Sequence, residues 1–112
     1  MVLKYFKYFE SGALADTDLH EDSWTPDEPV KLRRIFLQRR DGASYTRSTF
    51  YLKIAGAVYT DPVIPAVVLG PDKLTSPELD ISIAKGSKLS FTLKNLEGVE
   101  VYSLVTFEVH EP

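Results

Sequence analysis

Apolar and polar residues alternate along the last third of the chain. Leu79, Ile81 and Ile83 alternate with Asp80, Ser82 and Ala84. Leu89, Phe91 and Leu93 follow the break Lys85-Gly86-Ser87-Lys88. Val99, Val101, Ser103, Val105, Phe107 and Val109 follow the break Asn95-Leu96-Glu97-Gly98. A period of two, kept over successive runs with turn residues between them, marks half-buried antiparallel strands. The same pattern extends upstream. Residues 2–9 read as a strand with Leu3, Tyr5, Lys7 and Phe9 on one face and Val2, Lys4, Phe6 and Tyr8 on the other, and aromatics on both sides predict that both faces are covered, one by the core and one by a neighbour. Residues 30–40 form another strand between Pro29 and Asp41-Gly42. Its apolar parity switches from Val30 and Leu32 to Ile35 and Leu37, which predicts a β-bulge at Arg33-Arg34. Residues 41–45 read as a hairpin connection into a strand over 48–54, with Phe50, Leu52 and Ile54 inward. Ala55-Gly56 turns into a strand over 57–60, Asp61-Pro62 breaks it, and 63–69 resumes with Pro65 inside, which confines that run to a sheet edge or an irregular crossing. The expected fold is all-β, an antiparallel β-sandwich, jelly-roll-like, of about 7–8 strands.

Residues 11–28 differ in kind. They hold Asp16, Asp18, Glu21, Asp22, Asp27 and Glu28 and no Lys or Arg, and Leu14, Leu19 and Trp24 are the large apolar residues among them. The segment reads as a long acidic loop or arm with room for one short helical turn near Leu14 to Leu19, and loops of such length are often functional or mobile.

At 112 residues the chain reads as one domain, over 1–112, with the arm attached. A domain of this size buries roughly 65% of the surface of its unfolded chain, enough for a core. A hydrophobic fraction of 44% argues against intrinsic disorder. Cysteine is absent, so disulfides play no part. No apolar run is long enough for a signal peptide or a membrane span. The net charge of −3 offers no overall attraction to nucleic acid or anionic lipid.

Chemistry-bearing motifs are sparse. The two histidines, His20 and His110, stand in the acidic segment and near the C-terminus. Neither falls in a pattern that sets a base beside a nucleophile, so no catalytic residue is expected and the chain reads as a non-enzyme. Asp16, Asp18, His20, Glu21 and Asp22 lack the register and the turn glycine of a calcium loop, and His110 with Glu108 and Glu111 is a weaker set still, so neither a metal nor a cofactor is expected. Lys31, Arg33, Arg34, Arg39, Arg40 and Arg47 concentrate positive charge around residues 30–47. A basic strand of this kind is able to track a nucleic-acid backbone, but the acidic segment beside it makes charge pairing between the two, within one chain or between neighbouring subunits, the simpler reading. Trp24, Tyr45, Tyr51, Tyr59 and Tyr102 suggest a stacking surface for carbohydrate. Tyr51 and Tyr102 take the outward parity of their strands, however, and outward aromatics are what protein interfaces enrich. The candidate interface set is Trp24, Arg33, Arg34, Arg39, Arg40, Tyr51 and Tyr102.

The run from Leu79 to Phe91, with Tyr51-Leu52-Lys53-Ile54-Ala55-Gly56 upstream, resembles small β-sandwiches: carbohydrate-binding modules, and the jelly-roll coat and decoration proteins of viruses. The resemblance is at the level of the fold and carries no site residues across. It implies a structural, non-enzymatic protein in a virion. The chain is shorter than the usual capsid shell subunit, so a minor capsid, decoration or turret-type role follows, with itself as partner in a symmetric oligomer and other virion proteins beside it. The alternatives are a carbohydrate-binding module and a cytoplasmic location.

Overall fold

The computed structural model describes residues 2–60 and 63–112, so the expected break at Asp61-Pro62 lies outside the described residues. Along the described chain run β1 (Leu3–Leu14), β2 (Leu19–Trp24), β3 (Val30–Arg39), β4 (Thr49–Ile54), β5 (Ala57–Val58), β6 (Ile64–Pro65), a 3-10 turn (Ala66–Leu69), β7 (Ile81–Ile83), β8 (Leu89–Lys94) and β9 (Val101–His110). The pairing is nested. β1 pairs with β9, β2 with β8, β3 with β7, and β4 with β5 and β6, all antiparallel. This is one long hairpin of strand pairs. Curling it brings β9 against β3 and β8 against β4. The result is two packed sheets, β1-β9-β3-β7 (sheet A) and β2-β8-β4-β5 (sheet B), with β6 on the side of β4. That connectivity makes the sandwich a jelly roll.

The alternating positions build the space between the sheets. Leu32, Ile35 and Leu37 of β3 and Val105, Phe107 and Val109 of β9 face Phe50, Leu52 and Ile54 of β4 and Leu89, Phe91 and Leu93 of β8, all buried. Phe91 sits at the centre, stacked on Phe50 at 5.8 Å and edge-on to Phe107 at 5.7 Å. The expected bulge is present as a register shift between Leu32 and Arg34.

Several expectations change. Residues 11–28 are not a loop or arm: β1 continues to Leu14, and β2 occupies Leu19–Trp24. The reason is position. β2 ends its sheet and pairs only with β8, so its outward face meets water and carries Glu21 and Ser23. A strand of this kind needs few apolar residues, and its acidity hides the alternation. Residues 41–45 do not close a hairpin, because β3 and β4 belong to opposite sheets. Their apolar faces meet across the core rather than side by side, and the connection crosses between layers. Tyr45 is buried there, its hydroxyl donating to the Gln38 carbonyl at 3.0 Å. Residues 63–69 yield only the two-residue β6 and the 3-10 turn, and Pro65 lies on the sheet edge as a residue without an N–H must.

Three layer-crossing connections meet at one end of the sandwich, and the side chains of Asn95 and Glu97 join them. Asn95 is fully buried, and its Nδ2 donates to the carbonyls of Leu14, Ala15 and Val99 at 2.9–3.1 Å. Its Oδ1 accepts from the Glu97 N–H at 3.0 Å, and its backbone bonds to Thr17 and Asp18. The Glu97 carboxylate accepts from the N–H groups of Thr46, Arg47 and Ser48 and from the hydroxyls of Thr46 and Ser48, all at 2.8–2.9 Å. Arg39 stands 3.5 Å away. Burial alone would raise the Glu97 pKa, but the hydrogen bonds from Arg47, Ser48 and Thr46 outweigh it and hold the group at about 2, against an ordinary 4.5.

A carboxyl group whose pKa is depressed by folding stabilises the folded state above its ordinary pKa, and that stability is lost as the pH falls through the folded value. The expected outcome is a loss of about 2–3 kcal/mol between pH 4.5 and pH 2, absent in Glu97→Gln, which is less stable than the parent at neutral pH. Urea unfolding across that range measures it.

Candidate functional site

Cross-strand register places an aromatic band on the outer face of sheet A. Phe6, Glu108 and Arg34 stand abreast on β1, β9 and β3, followed by Tyr8, Thr106 and Phe36, and then by Glu10, Leu104 and Gln38. Tyr102 lies further along β9, with the Arg40 guanidinium 5.3 Å from its ring. The face is open: Phe6 is 54% exposed, Tyr8 51% and Tyr102 38%. Within the chain the core covers one face of the first strand, and the other, with Phe6 and Tyr8, is left open. β1 ends sheet A, and its outward aromatics have a neighbour on one side only.

Charged side chains close one end of the band. Glu108 is only 5% exposed although it points away from the core. One of its oxygens accepts from Arg34 Nη1 at 3.0 Å and lies 2.8 Å from His110 Nε2. Arg34 also lies 3.6 Å from Glu78, which pairs with Arg33 as well. Arg34 Nε and His110 Nδ1 are buried and have no hydrogen-bond partner among the described residues. A buried carboxylate needs its partners, because removing one costs about 3–5 kcal/mol. This cluster lines a hollow of about 380 Å³ together with Leu3, Phe6 and Lys73. An adjoining hollow of about 300 Å³ shares Phe6 and Lys73 and extends to Phe36 and Pro71. A further hollow of about 420 Å³ crosses β2 and β8, but its polar wall of Glu21, Ser23, Lys88 and Thr92 offers no exposed aromatic floor. The groove on sheet A combines a flat aromatic floor with cations and carboxylates held on central strands, which suits recognition of another surface.

A second polar cluster lies inside the sandwich. His20 Nδ1 and Ser103 Oγ share a hydrogen bond of 2.6 Å, Asp22 lies 3.9 Å from His20 Nε2, and the His20 ring meets Phe91 edge-on. These are the residue types of a hydrolytic triad, but Ser103 is 0% exposed, so no substrate carbonyl reaches its hydroxyl. Among the described residues no group of three or more His, Asp or Glu side chains is placed to hold a metal ion, and no helix is long and apolar enough to cross a membrane.

The residues singled out from the sequence divide. Arg34, Arg40 and Tyr102 lie on the sheet A face, and Arg33 lines its hollow. Trp24 is not an outer anchor on an arm: it packs against the core, edge-on to Tyr5 and stacked on Phe107. Tyr51 is half-buried on sheet B, and Arg39 turns to Asp41 and Glu97. Tyr45 is buried and Tyr59 lies in the segment after β5, so the five aromatics proposed for sugar stacking do not share a surface. Charge pairing between the acidic segment and the basic strand within the chain is also corrected. Arg33, Arg34 and Arg39 take Glu78, Glu108, Asp41 and Glu97, and among the described residues Asp16, Asp18, Glu21 and Asp27 make no ion pair. Sequence reasoning missed Glu78 and Lys73, and it weighed Glu108 and His110 only as weak metal ligands. The only signal for the last two was their position opposite Arg34 and Lys31, which requires the register. No family model and no curated protein matches the chain.

Burial lowers the His20 pKa below the ordinary 6.5, with the Asp22 charge opposing it. The unfolded chain therefore takes up this proton first as the pH falls, so the contribution is intact above 6.5 and declines below it. The stability of His20→Phe is expected to decline less between neutral and mildly acid pH than that of the parent, as read from urea midpoints.

Proposed function

We propose that this chain is a non-enzymatic structural protein that works by docking, a jelly-roll subunit of the minor capsid, decoration or turret type, associating with copies of itself and with neighbouring virion proteins. The observation that carries this reading is the open band of Phe6, Tyr8 and Tyr102, extended by half-buried Phe36 and Leu104, on the outer face of sheet A. Apolar surface left in water costs about 25 cal/mol per Å² relative to burial, and a contiguous patch of it on a folded domain marks a contact surface. Aromatics are the side chains that anchor interfaces, and Arg33, Arg34, Arg40, Glu10 and Glu78 supply a polar rim. The band is built on β1, β9 and β3 rather than on loops, so it is formed before a partner arrives. The virion setting draws on the jelly-roll topology together with the resemblance described above.

Phe36→Glu combined with Tyr102→Glu tests the reading, because both positions lie on central strands away from the free sheet edges. The expected outcome is an oligomer for the parent chain by light scattering and a dissociation constant raised on the order of thirtyfold in the variant, with an unchanged circular dichroism spectrum. Identical masses for parent and variant contradict it.

A further inference from the structure

β1 and β2 leave free edges on the same side of the sandwich, β1 ending sheet A and β2 ending sheet B. The opposite side carries β5, β6 and β7, each of only two or three residues. A free edge presents unpaired N–H and C=O groups, a template for another strand. The two long free edges are also matched in length and charge. β1 pairs regularly over residues 5–10, between register shifts at Leu3/Tyr5 and Glu10/Ala13, and this stretch is as long as the 6-residue β2. β1 brings Lys7 to the inward side of the rim, and β2 brings Asp22: their register partners, Phe107 and Phe91, are both core residues. An inward charge on an edge strand normally blocks strand addition. Here the charges on the two edges have opposite signs, so each obstacle is removed by the other edge.

We infer that a second copy of this chain adds edge to edge about a two-fold axis parallel to the strands, β1 of each copy pairing antiparallel with β2 of the other. Such an axis preserves strand direction and exchanges the layers, so sheet A of one copy continues into sheet B of its partner and both contacts are equivalent. The register that sets Lys7 opposite Asp22 also sets Tyr5 opposite Trp24, and residues 5–10 meet residues 24–19 without remainder. Inward positions face inward positions throughout. The inference rests on the assembly role proposed above and names its first partner and contact.

Lys7 and Asp22 both have modest contacts within the chain. The Lys7 ammonium lies over the Phe9 ring, 5.6 Å from its centroid, and the exposed Asp22 accepts from the Ser23 N–H at 3.0 Å and lies 3.9 Å from His20 Nε2. The exchanges remove these contacts as well, so the fold of each variant is checked alongside its mass. Light scattering of the full chain is the test, with circular dichroism confirming the fold of each variant. Lys7→Asp alone and Asp22→Lys alone are each expected to raise the dimer dissociation constant about tenfold or more, and the double exchange to restore it to near the parent value, since it recreates both ion pairs. Single variants that dimerise like the parent overturn the edge contact. If Phe36→Glu/Tyr102→Glu still dissociates in that case, the docking role stands. A parent chain that is monomeric at every concentration overturns the inference and self-association together.

Discussion

The sandwich depends on two polar side chains that have no water to turn to. Asn95 and Glu97 stand two residues apart in the connection between β8 and β9, and between them they hold the carbonyls of the β1–β2 turn and the N–H groups of residues 46–48. A buried donor or acceptor left unpaired costs about 1–3 kcal/mol, and this site gathers many of them. Once they are satisfied, the layer-crossing connections at that end are fixed to one another. The nested pairing then follows with little freedom: β1 must lie beside β9, and β2 beside β8.

That constraint also sets the surface. β9 is central in sheet A, and fixing its start at Val101 places Tyr102, Leu104, Thr106 and Glu108 outward in a single line. β1 and β3 lie on either side of it, so Phe6, Tyr8 and Phe36 join the line without further design. The Glu108 carboxylate accounts for the basic residues Arg34 and His110 beside it. Charge on this face is therefore largely compensated within the chain, and in the docking role proposed above it is the aromatic band that supplies the driving force for contact. On the free edge of β2 the balance differs, because among the described residues Glu21 makes no ion pair.

Strands that bury one face are legible in the sequence. β3, β4, β8 and β9 announce themselves by alternation, and even the bulge beside Arg33 shows as a change of parity. β2 does not, because an edge strand is held by one neighbour and exposes Leu19 and Glu21 to water. The crossing at residues 41–45 resembles a hairpin because turn residues look alike whether the chain returns to the same sheet or to the facing one. Of the surface, the parity of Arg34, Arg40 and Tyr102 was legible. Trp24 was misplaced for lack of β2, while Glu108 and His110 acquire their meaning only across strands. Glu97 reads as part of an ordinary turn, and nothing local in the sequence tells that its carboxylate faces residues 46–48.

Amide hydrogen exchange measures the central constraint most directly. If Asn95 and Glu97 lock that end of the sandwich, the amides of Arg47, Ser48, Asn95 and Glu97, although they lie outside the strands, exchange only through global unfolding, as slowly as that of Val105 in the core. Fast exchange at these four positions, with Val105 still protected, would show loops that open on their own and would contradict the account.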